Sequence, residues 1–506
     1  MLKHLRTLLG HTVVYGLGNY GIKIVGFLLI PVYTRYLDPK DYGIMALVSM
    51  YTQGMFVFMN LGQNTAIFRF YYDHDDPEWR ERVIAAALWI VFLVAVPLAC
   101  VPLFFSRPLA VKLLDDGRLW FLVAIGTGTV LAKVLLRMPF TIMRAKEYSK
   151  RYASWSLLRG TLATTLAVIL VVGFHLRATG VVLSQFLGEF VMCLLLTGAT
   201  FRMLRVGFRW DDIREQLAFG LPLVPAGVAT FALHLADRWF IRTYYTVADV
   251  GIYSLAFRFG EILLFVVTAV QLSWGPFIFS RRLDPEAPPI FARVTSYFVA
   301  IYLFLWLGLA AFAPELIRVM APAKYAASAG LIPLLGFALL TRGLMPMVNI
   351  GPAFAKRTIL RSYTVTTAAV VNVVLNYLLI PRLGPMGAAW AALGGASVQL
   401  GMATAISLHL YPVPYEWRRL ALVLFAALGL YGATVWTTVE SALGGFALKA
   451  GLVALYPALV LFSGFFDADD LTRALGWAGR RVPQATPAVR VLAAVLRVPP
   501  PEAGGR

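Results

Sequence analysis

Acidic residues, cysteines and histidines are scarce in this sequence, and each scarcity excludes a class of protein. Charged residues make up only 14% of the 506 residues, against about 25% in a soluble protein. The two cysteines, Cys100 and Cys193, lie in different apolar runs, so neither a disulfide framework nor a paired-cysteine metal site is expected. The six histidines are scattered without metal-ligand spacing. With no GxSxG turn and no P-loop either, we expect no enzyme, no metal and no cofactor.

Long apolar runs dominate what is present. Apolar residues account for 59% of the chain, and the mean hydropathy is +0.73. A helix of about 20 apolar residues crosses the hydrocarbon core of a bilayer. The chain is therefore predicted to be an all-α polytopic membrane protein with about fourteen transmembrane helices. These spans, numbered 1 to 14 in chain order, are 12–33, 44–66, 83–105, 119–142, 153–173, 179–200, 218–240, 250–275, 292–313, 329–351, 360–381, 386–410, 418–438 and 445–466.

The basic residues behind the formal charge of +19 lie mainly in the loops between the spans. An even number of spans places both termini on one side, and most loop lysines and arginines fall on that same side, as in RAKEYSKRY (144–152). Cytoplasmic loops carry such an excess and face anionic lipid. We therefore expect both termini to be cytoplasmic, the protein to contact membrane lipid, and no nucleic acid to bind. The long first run predicts an uncleaved helix rather than a signal peptide.

An internal repeat organises the chain. The link RYLDPKDYG after span 1 returns as TYYTVADVG after span 7, with Asp41 opposite Asp249 and Gly43 opposite Gly251. The link at 144–152 is echoed by FAKRTILRS (354–362). Spans 1–6 thus match spans 7–12, and an even number of helices per copy makes the copies parallel. Transporters built from such repeats bind substrate between the lobes and rock them to alternate access.

The predicted organisation has five parts. They are a basic surface segment (1–11), an N-lobe of spans 1–6 (12–210), a C-lobe of spans 7–12 (211–411), two additional helices (412–466) and a partly disordered cytoplasmic tail (467–506).

Charged residues inside the spans are the candidate functional residues, because each costs about 2.5–3.5 kcal/mol to insert and usually marks a pathway or site. Basic side chains outnumber acidic ones, which suggests a water-filled cationic interior and an anionic cargo. They are Lys23, Lys133, Arg137, Arg159, Glu189, Asp237, Arg238, Arg258, Glu261 and Arg342.

Structural interpretations compete with this one. Arg258 and Glu261 share a helix face at i, i+3 and can pair with each other. Asp237 and Arg238 are adjacent, so they should point in different directions and could snorkel to the nearby interface.

Lys133 and Arg137 share a face at i, i+4, where like charges repel, which favours an anion or a wet cavity between them. Arg159 and Arg342 could have the purely structural role of holding neighbouring helices together.

Uncharged polar residues form a further set of candidates. Gln53, Asn60 and Asn64 lie along span 2, and Asn372 and Asn376 share a face of span 11. Such residues more often join helices than bind ligand. The GxGxxG match at 16–21 lies inside a spanning run with no strand before it, so it fails the context test for a dinucleotide site.

Three segments resemble one family. NYGIKIVGFLLIPVYTRYLDPKDYGIMAL (19–47), NLGQNTAIFRFYYD (60–73) and RAKEYSKRY are similar to the polysaccharide-flippase (Wzx-type) branch of the multidrug/oligosaccharidyl-lipid/polysaccharide exporter superfamily. The resemblance implies a flippase that moves an undecaprenyl-pyrophosphate-linked oligosaccharide to the periplasmic leaflet of the bacterial inner membrane, for surface polysaccharide biosynthesis alongside polymerase machinery. It also implies a cavity lined by spans 1, 2, 7 and 8.

The resemblance also assigns roles within that cavity. Lys23, Arg238 and Arg258 lie on the lining spans and would hold the pyrophosphate. Glu261, Asp237 and Glu189 would be the acids for coupling to H⁺ or Na⁺.

Three alternatives remain open at the level of sequence. An ion-coupled exporter of cationic drugs predicts an acidic cavity. A lipid II flippase predicts an arginine after Gly26–Phe27, where this chain has Leu28, Leu29 and Ile30. A membrane glycan polymerase or ligase predicts large outer loops, and the outer loops here are short.

Overall fold

A computed structural model describes residues 25–201, 207–357, 359–437 and 441–467, and within these ranges the chain forms helices and no strand. The α-helices run over Ile30–Tyr36, Pro39–Asn60, Gln63–Tyr71, Pro77–Ile90, Val96–Phe104, Ser106–Leu114, Trp120–Ala145, Ser149–Val168, Arg177–Phe201, Trp210–Gly220, Val224–Tyr244, Val247–Gly260, Leu263–Ser280, Ala287–Ala311, Ala313–Met320, Ser328–Gly343, Met345–Val348, Ile350–Phe354, Ile359–Leu383, Pro385–Leu410, Trp417–Trp436 and Ala442–Phe462.

The predicted spans 2–14 are confirmed as long apolar helical segments. Thirteen segments of the described chain are long and apolar enough to cross a membrane, and each overlaps one predicted run. They exceed the predicted bounds mainly at polar ends, as in Pro39–Tyr71 against 44–66 and Trp210–Tyr244 against 218–240. Span 1 lies largely outside the described residues, which contain only its end, from Val25 onward.

The repeated link has a common structural cause in its two copies. Span 2 begins with a capping box in which the Asp38 backbone N–H donates to Asp41 Oδ2 at 3.1 Å. Span 8 begins in the same way, with the Thr246 N–H donating to Asp249 Oδ2 at 3.0 Å. Both boxes satisfy N–H groups that a helix start leaves unpaired, so Asp41 and Asp249 recur for one reason.

The repeated glycines hold the two copies together. A Cβ built on Gly43 would overlap the Val247 carbonyl oxygen, and one built on Gly251 would overlap the carbonyl oxygen of Pro39. The first turns of spans 2 and 8 therefore pack backbone to backbone. Only glycine permits so close an approach.

Several spans are interrupted. Span 2 breaks at Leu61 and Gly62, which both adopt left-handed conformations (φ 44° and 70°), and span 8 breaks between Gly260 and Leu263. Span 7 contains a 3₁₀ turn at Leu221–Leu223, and spans 3 and 5 contain π turns at Val91–Ala95 and Ile169–Gly173. Such interruptions are tolerated where protein or water satisfies the freed backbone groups.

The contacts of the chain divide it into two compact units. Unit 1 comprises residues 1–287 and 313–412 and contains the described parts of spans 1–8 and 10–12. Unit 2 comprises 288–312 and 413–506, so it groups span 9 with spans 13 and 14. The finer division of the chain into two six-helix lobes stays a prediction.

Unit 2 is joined by aromatic contacts and by one carboxylate. The Tyr456 hydroxyl donates to the Ala300 carbonyl at 3.1 Å. Asp467, just after span 14, binds Arg293 of span 9 and Arg419 of span 13, each at 2.5 Å. The hydrogen bond from Arg419 lowers the pKa of the Asp467 carboxyl. This carboxylate therefore joins spans 9 and 13 to the end of span 14.

Candidate functional site

A cavity of about 670 Å³ lies within unit 1. Both copies of the repeat line it, with residues of spans 1 and 2, spans 4–6, spans 7 and 8, and span 10. Its basic lining residues are Lys133, Arg159, Arg238, Arg258 and Arg342, and its acidic ones are Glu189 and Glu261. The described wall is thus cationic, and an anion entering it would replace water as the partner of these charges.

Arg258 has a neutral partner. It lies near the end of the helix Val247–Gly260, and its Nη1 donates to the Tyr42 hydroxyl at 3.2 Å. A Cβ built on Gly26 would lie 3.8 Å from its Nη2, so the end of span 1 leaves room beside the guanidinium. The expected pairing with Glu261 is not formed among the described residues, because the helix breaks at Glu261 and Tyr42 of span 2 takes the guanidinium instead.

Asp237 and Arg238 correct a second expectation. Both are buried, at 3% and 6% exposure, and Arg238 Nη1 lies 3.4 Å from Asp237 Oδ1. The interpretation that they diverge and snorkel is therefore wrong. The Tyr253 hydroxyl donates to Asp237 Oδ2, and the Arg238 guanidinium stacks 4.7 Å from the centre of the Phe257 ring. Span 8 supplies both aromatic residues, which hold the pair inside the protein.

Lys133, Arg159 and Glu189 meet on the part of the cavity wall that spans 4, 5 and 6 form. They come from spans 4, 5 and 6, and all three line the cavity. Arg159 Nη1 lies 3.8 Å from Glu189 Oε2, and Glu189 and Arg159 are the charged neighbours of the Lys133 ammonium. The sequence placed these residues on separate helices, and only packing brings them together.

Arg137 departs from the expected arrangement. It is exposed and stacks on the Phe56 ring at 5.0 Å, and it is absent from the cavity wall that Lys133 lines. The i, i+4 spacing therefore does not produce a shared anion site for Lys133 and Arg137, since one full turn of helix carries Arg137 past the wall.

The polar candidates of span 2 separate in the same way. Gln53 lines the cavity and donates to Ser49 Oγ at 3.3 Å. Asn60 is buried directly before the break in span 2, and Asn64 directly follows it, and neither lines the cavity. Asn376 donates to Asn372 at 3.0 Å within span 11, and both side chains are buried away from the cavity wall. Lys23 lies outside the described residues.

Sequence reasoning missed the aromatic partners. Tyr42 and Phe257 line the cavity beside the arginines, and Tyr253 lies behind them. No charge or spacing pattern distinguishes these three from the many other aromatic residues of the spans. The described residues contain no group of three or more His, Cys, Asp or Glu that could hold a metal ion.

Ion pairs join the two repeats at the ends of the spans. At the predicted outer side, Lys324 Nζ donates to Asp38 Oδ1 at 2.7 Å, and the Tyr325 hydroxyl donates to the Leu37 carbonyl at 3.0 Å. The hydrogen bond from Lys324 holds the pKa of the Asp38 carboxyl below its usual value. At the predicted inner side, Arg82 binds Asp212 with two hydrogen bonds of 2.6 and 3.0 Å.

Comparison with known proteins agrees with this architecture. The succinoglycan biosynthesis transport protein ExoT of Rhizobium meliloti (strain 1021) is 23% identical over 514 residues, covering 95% of this chain and 96% of that protein. A solved structure of the lipid II flippase MurJ in its inward closed conformation matches 88% of this chain and 98% of its own at a TM-score of 0.71 and 13% identity.

An inward-facing multidrug resistance MATE transporter of the MOP superfamily matches 82% of this chain and 95% of its own at a TM-score of 0.58 and 16% identity. At such identities these two structures show a shared fold. The family model described as polysaccharide biosynthesis protein matches residues 8–281. With thirteen candidate transmembrane helices in its described part and this family match over more than half of its length, the chain is a multi-pass membrane protein that belongs to the polysaccharide biosynthesis protein family.

Proposed function

We propose that the protein carries a lipid-linked oligosaccharide, joined to undecaprenyl through a pyrophosphate, from the cytoplasmic to the periplasmic leaflet of the bacterial inner membrane. It acts as a transporter and not as an enzyme, with both termini cytoplasmic. The observation that carries this proposal is the cationic wall of the 670 Å³ cavity. The printed names of two similar proteins, one in succinoglycan transport and one a lipid II flippase, support a glycan cargo on a lipid.

The charge balance of the wall favours an anionic head group. Isolated charges in a low-dielectric interior cost several kcal/mol each unless they are paired. Two acidic residues line the cavity beside five basic ones, so the described wall has cations in excess, and a pyrophosphate would supply negative charge through charge-assisted hydrogen bonds.

Within the wall, Arg258 is the main candidate for the pyrophosphate. The only hydrogen bond that Arg258 makes to a described residue goes to a neutral hydroxyl, so its charge stays available to a ligand. Arg238 already faces Asp237 and would act as a fixed second cation. Lys23 remains a predicted third cation.

Alternating access would open the cavity to each side in turn. The proposal assigns the Asp38–Lys324 and Arg82–Asp212 pairs to gates that separate in opposite phases. Glu261 and Glu189 line the cavity and are the leading acids for H⁺ or Na⁺ coupling. Asp237 is held by Arg238 and Tyr253 and would couple only if that network opens.

The alternatives fit less well. An exporter of cationic drugs needs an acidic wall, and the described wall has the opposite sign. A glycan polymerase would need large outer loops, and those of this chain are short. Polymerase activity therefore belongs to a separate protein that works beside this one.

The test is complementation of a strain that lacks this gene. Surface polysaccharide and the leaflet position of the lipid-linked oligosaccharide are measured with the wild type, Lys23→Ala, Arg258→Ala and Arg137→Ala, after immunoblotting confirms equal membrane insertion. We expect deletion to leave the lipid-linked sugar on the cytoplasmic side. Arg258→Ala should reduce transport by about tenfold or more, the worth of a hydrogen bond to a charged group. The matched control Arg137→Ala should complement.

Two results would contradict the proposal. Normal surface polysaccharide in the deletion strain would show that this glycan is not the cargo. New drug sensitivity with intact glycan would favour the drug exporter instead. Full complementation by Arg258→Ala would make that arginine structural and move the search for the pyrophosphate site to other cations of the wall.

A further inference from the structure

Span 2 contacts the second repeat at two places. At the predicted outer side, Gly43 lies against Val247 of span 8. At the predicted inner side, a Cβ built on Gly62 would lie 2.6 Å from the Gly220 carbonyl oxygen, and one built on Gly220 would overlap the carbonyl oxygen of Leu61. Only glycine permits so close an approach of two backbones. The break of span 2 and the start of span 7 therefore meet backbone to backbone, in a contact that we call the inner junction.

The inner junction buries a glutamine amide that has no partner. Gln63, the first residue after the break, is 1% exposed, and neither its Nε2 nor its Oε1 has a hydrogen-bond partner in the described chain. Its Nε2 lies 3.5 Å from the Cβ position built on Gly220, so the amide lies at the contact itself. Gln216, about one turn before Gly220, donates from Nε2 to the Val83 carbonyl at 2.8 Å, but its buried Oε1 is also unpaired. Buried polar groups are normally hydrogen-bonded, so these amides need an explanation.

The polar groups at the other end of span 2 are paired. Asp41 completes the capping box there. Lys324 Nζ donates to Asp38 at 2.7 Å, and the Tyr325 hydroxyl donates to the Leu37 carbonyl at 3.0 Å. The unpaired amide of Gln63 is therefore a feature of the inner contact and not of span 2 as a whole.

Other contacts hold the inner junction closed. Arg82, at the start of span 3, binds Asp212 with two hydrogen bonds, and the rings of Phe70 and Phe219 meet edge to face at 5.9 Å. Leu61 packs in an apolar cluster there, although its left-handed conformation (φ 44°) is one that residues with a side chain rarely adopt. The junction thus combines attractive contacts with a strained backbone residue and an unpaired amide.

An unpaired buried amide favours separation of the two surfaces that bury it. When span 2 and Gly220 part, water can reach the Gln63 amide and bond to both of its polar atoms, so the cost of desolvation applies only to the closed junction. A cost of the usual size for such a group shifts a two-state equilibrium by about 5- to 150-fold. Gln63 does not line the described cavity, so this bias requires no contact with the cargo.

We propose that Gln63 biases the inner gate toward its open state, in opposition to the Arg82–Asp212 pair that closes it. This inference rests on the alternating access of the proposed function and adds the residue that sets its balance. The pair and the amide act with opposite signs on one equilibrium. The closed state therefore forms without becoming so stable that the gate no longer opens.

The test measures the distance between two spin labels in the purified full-length protein without cargo. Cys100 and Cys193 are first replaced. Labels then go on cysteines at Lys150 and Lys356, which are exposed in the equivalent links of the two repeats at the predicted inner side. Gln63→Met keeps an unbranched side chain of similar length and removes the amide. It should raise the ratio of short to long distances about fivefold or more.

Two further variants sharpen the test. Arg82→Gln removes the closing ion pair and should shift the distances in the opposite direction, and the double variant with Gln63→Met should fall between the two single ones. Gln271→Met is the matched control. Gln271 is the counterpart of Gln63 in the second repeat, in register with the repeated glycines, and it is exposed, so its replacement should leave the distances unchanged.

The opposite sign would overturn the inference. If Gln63→Met raised the population of long distances, the amide would stabilise the closed junction, as it would through a bound water. Equal effects of Gln63→Met and Gln271→Met, or one unchanged distance in every variant, would overturn it as well. The cargo is tested separately. If deletion of the gene leaves surface polysaccharide intact while Gln63→Met still shortens the distances, the inference stands and the proposed cargo fails.

Discussion

The backbone contact at Gly43 offers a direct test of whether the first turns of spans 2 and 8 separate in the proposed alternating access. In Gly43→Ala, the new Cβ would lie 2.8 Å from the Val247 carbonyl carbon and 2.9 Å from Val247 Cγ1, where ordinary contacts begin at 3.4 Å. Backbone cannot rotate aside, so the helices must part by roughly 1 Å. Overpacking of this kind costs about 1–3 kcal/mol, which corresponds to a shift of about 5- to 150-fold in a two-state population.

The assay is a distance measurement between two spin labels in the purified protein. Cys100 and Cys193 are the free cysteines of the chain and are first replaced. Labels then go on cysteines at Lys40 and Thr243, which are exposed at the predicted outer side, in the first and second repeats respectively. Gly43→Ala should enrich the longer-distance population, because the substitution penalises only the state in which spans 2 and 8 touch.

Two glycines provide the controls. Gly251→Ala places its Cβ against Pro39 in the reciprocal contact and should act in the same direction. Gly275→Ala, also within span 8, has no atom within 4 Å of its built Cβ and should leave the distances unchanged. The reasoning is refuted if Gly43→Ala shows the distance distribution of the wild type, or if Gly275→Ala alters it equally.

Two further predictions concern polar contacts of the same unit. Tyr253→Phe removes the hydroxyl that donates to the buried Asp237 carboxylate, so it should lower the free energy of unfolding by about 1–3 kcal/mol. Thermal unfolding in detergent measures this loss, and an equal effect of Tyr36→Phe, on an exposed tyrosine, would contradict it. The second prediction follows from the lowered pKa of Asp38. A carboxyl whose pKa is lower in the folded state stabilises it above the unfolded pKa of about 3.9, and this contribution disappears as the pH falls through the folded value. The Asp38–Lys324 contact should therefore persist at pH 5–8 and weaken only below about pH 4. Asp38→Asn should abolish that acid-dependent part of the melting curve, and an equally steep acid loss in the variant would show that another group is responsible.

The sequence by itself determined the spans and the repeat. A segment that crosses lipid must satisfy its backbone within its own helix and must be apolar over about 20 residues, and both requirements are local. For that reason the runs at spans 2–14 could be read without knowledge of their neighbours. The repeated links that end at Gly43 and Gly251 could be recognised for a similar reason. The capping boxes at Asp41 and Asp249 are each completed within four residues.

Tertiary packing alone decided which charges meet. Arg258 lies three residues from Glu261 in sequence, yet it bonds to Tyr42 of another span, and Arg137 leaves the wall that Lys133 lines. A buried charge takes whichever partner the packed helices bring within reach, and span hydropathy carries no information about that choice. The grouping of span 9 with spans 13 and 14 was equally hidden, because it depends on contacts between helices that lie more than a hundred residues apart in the sequence.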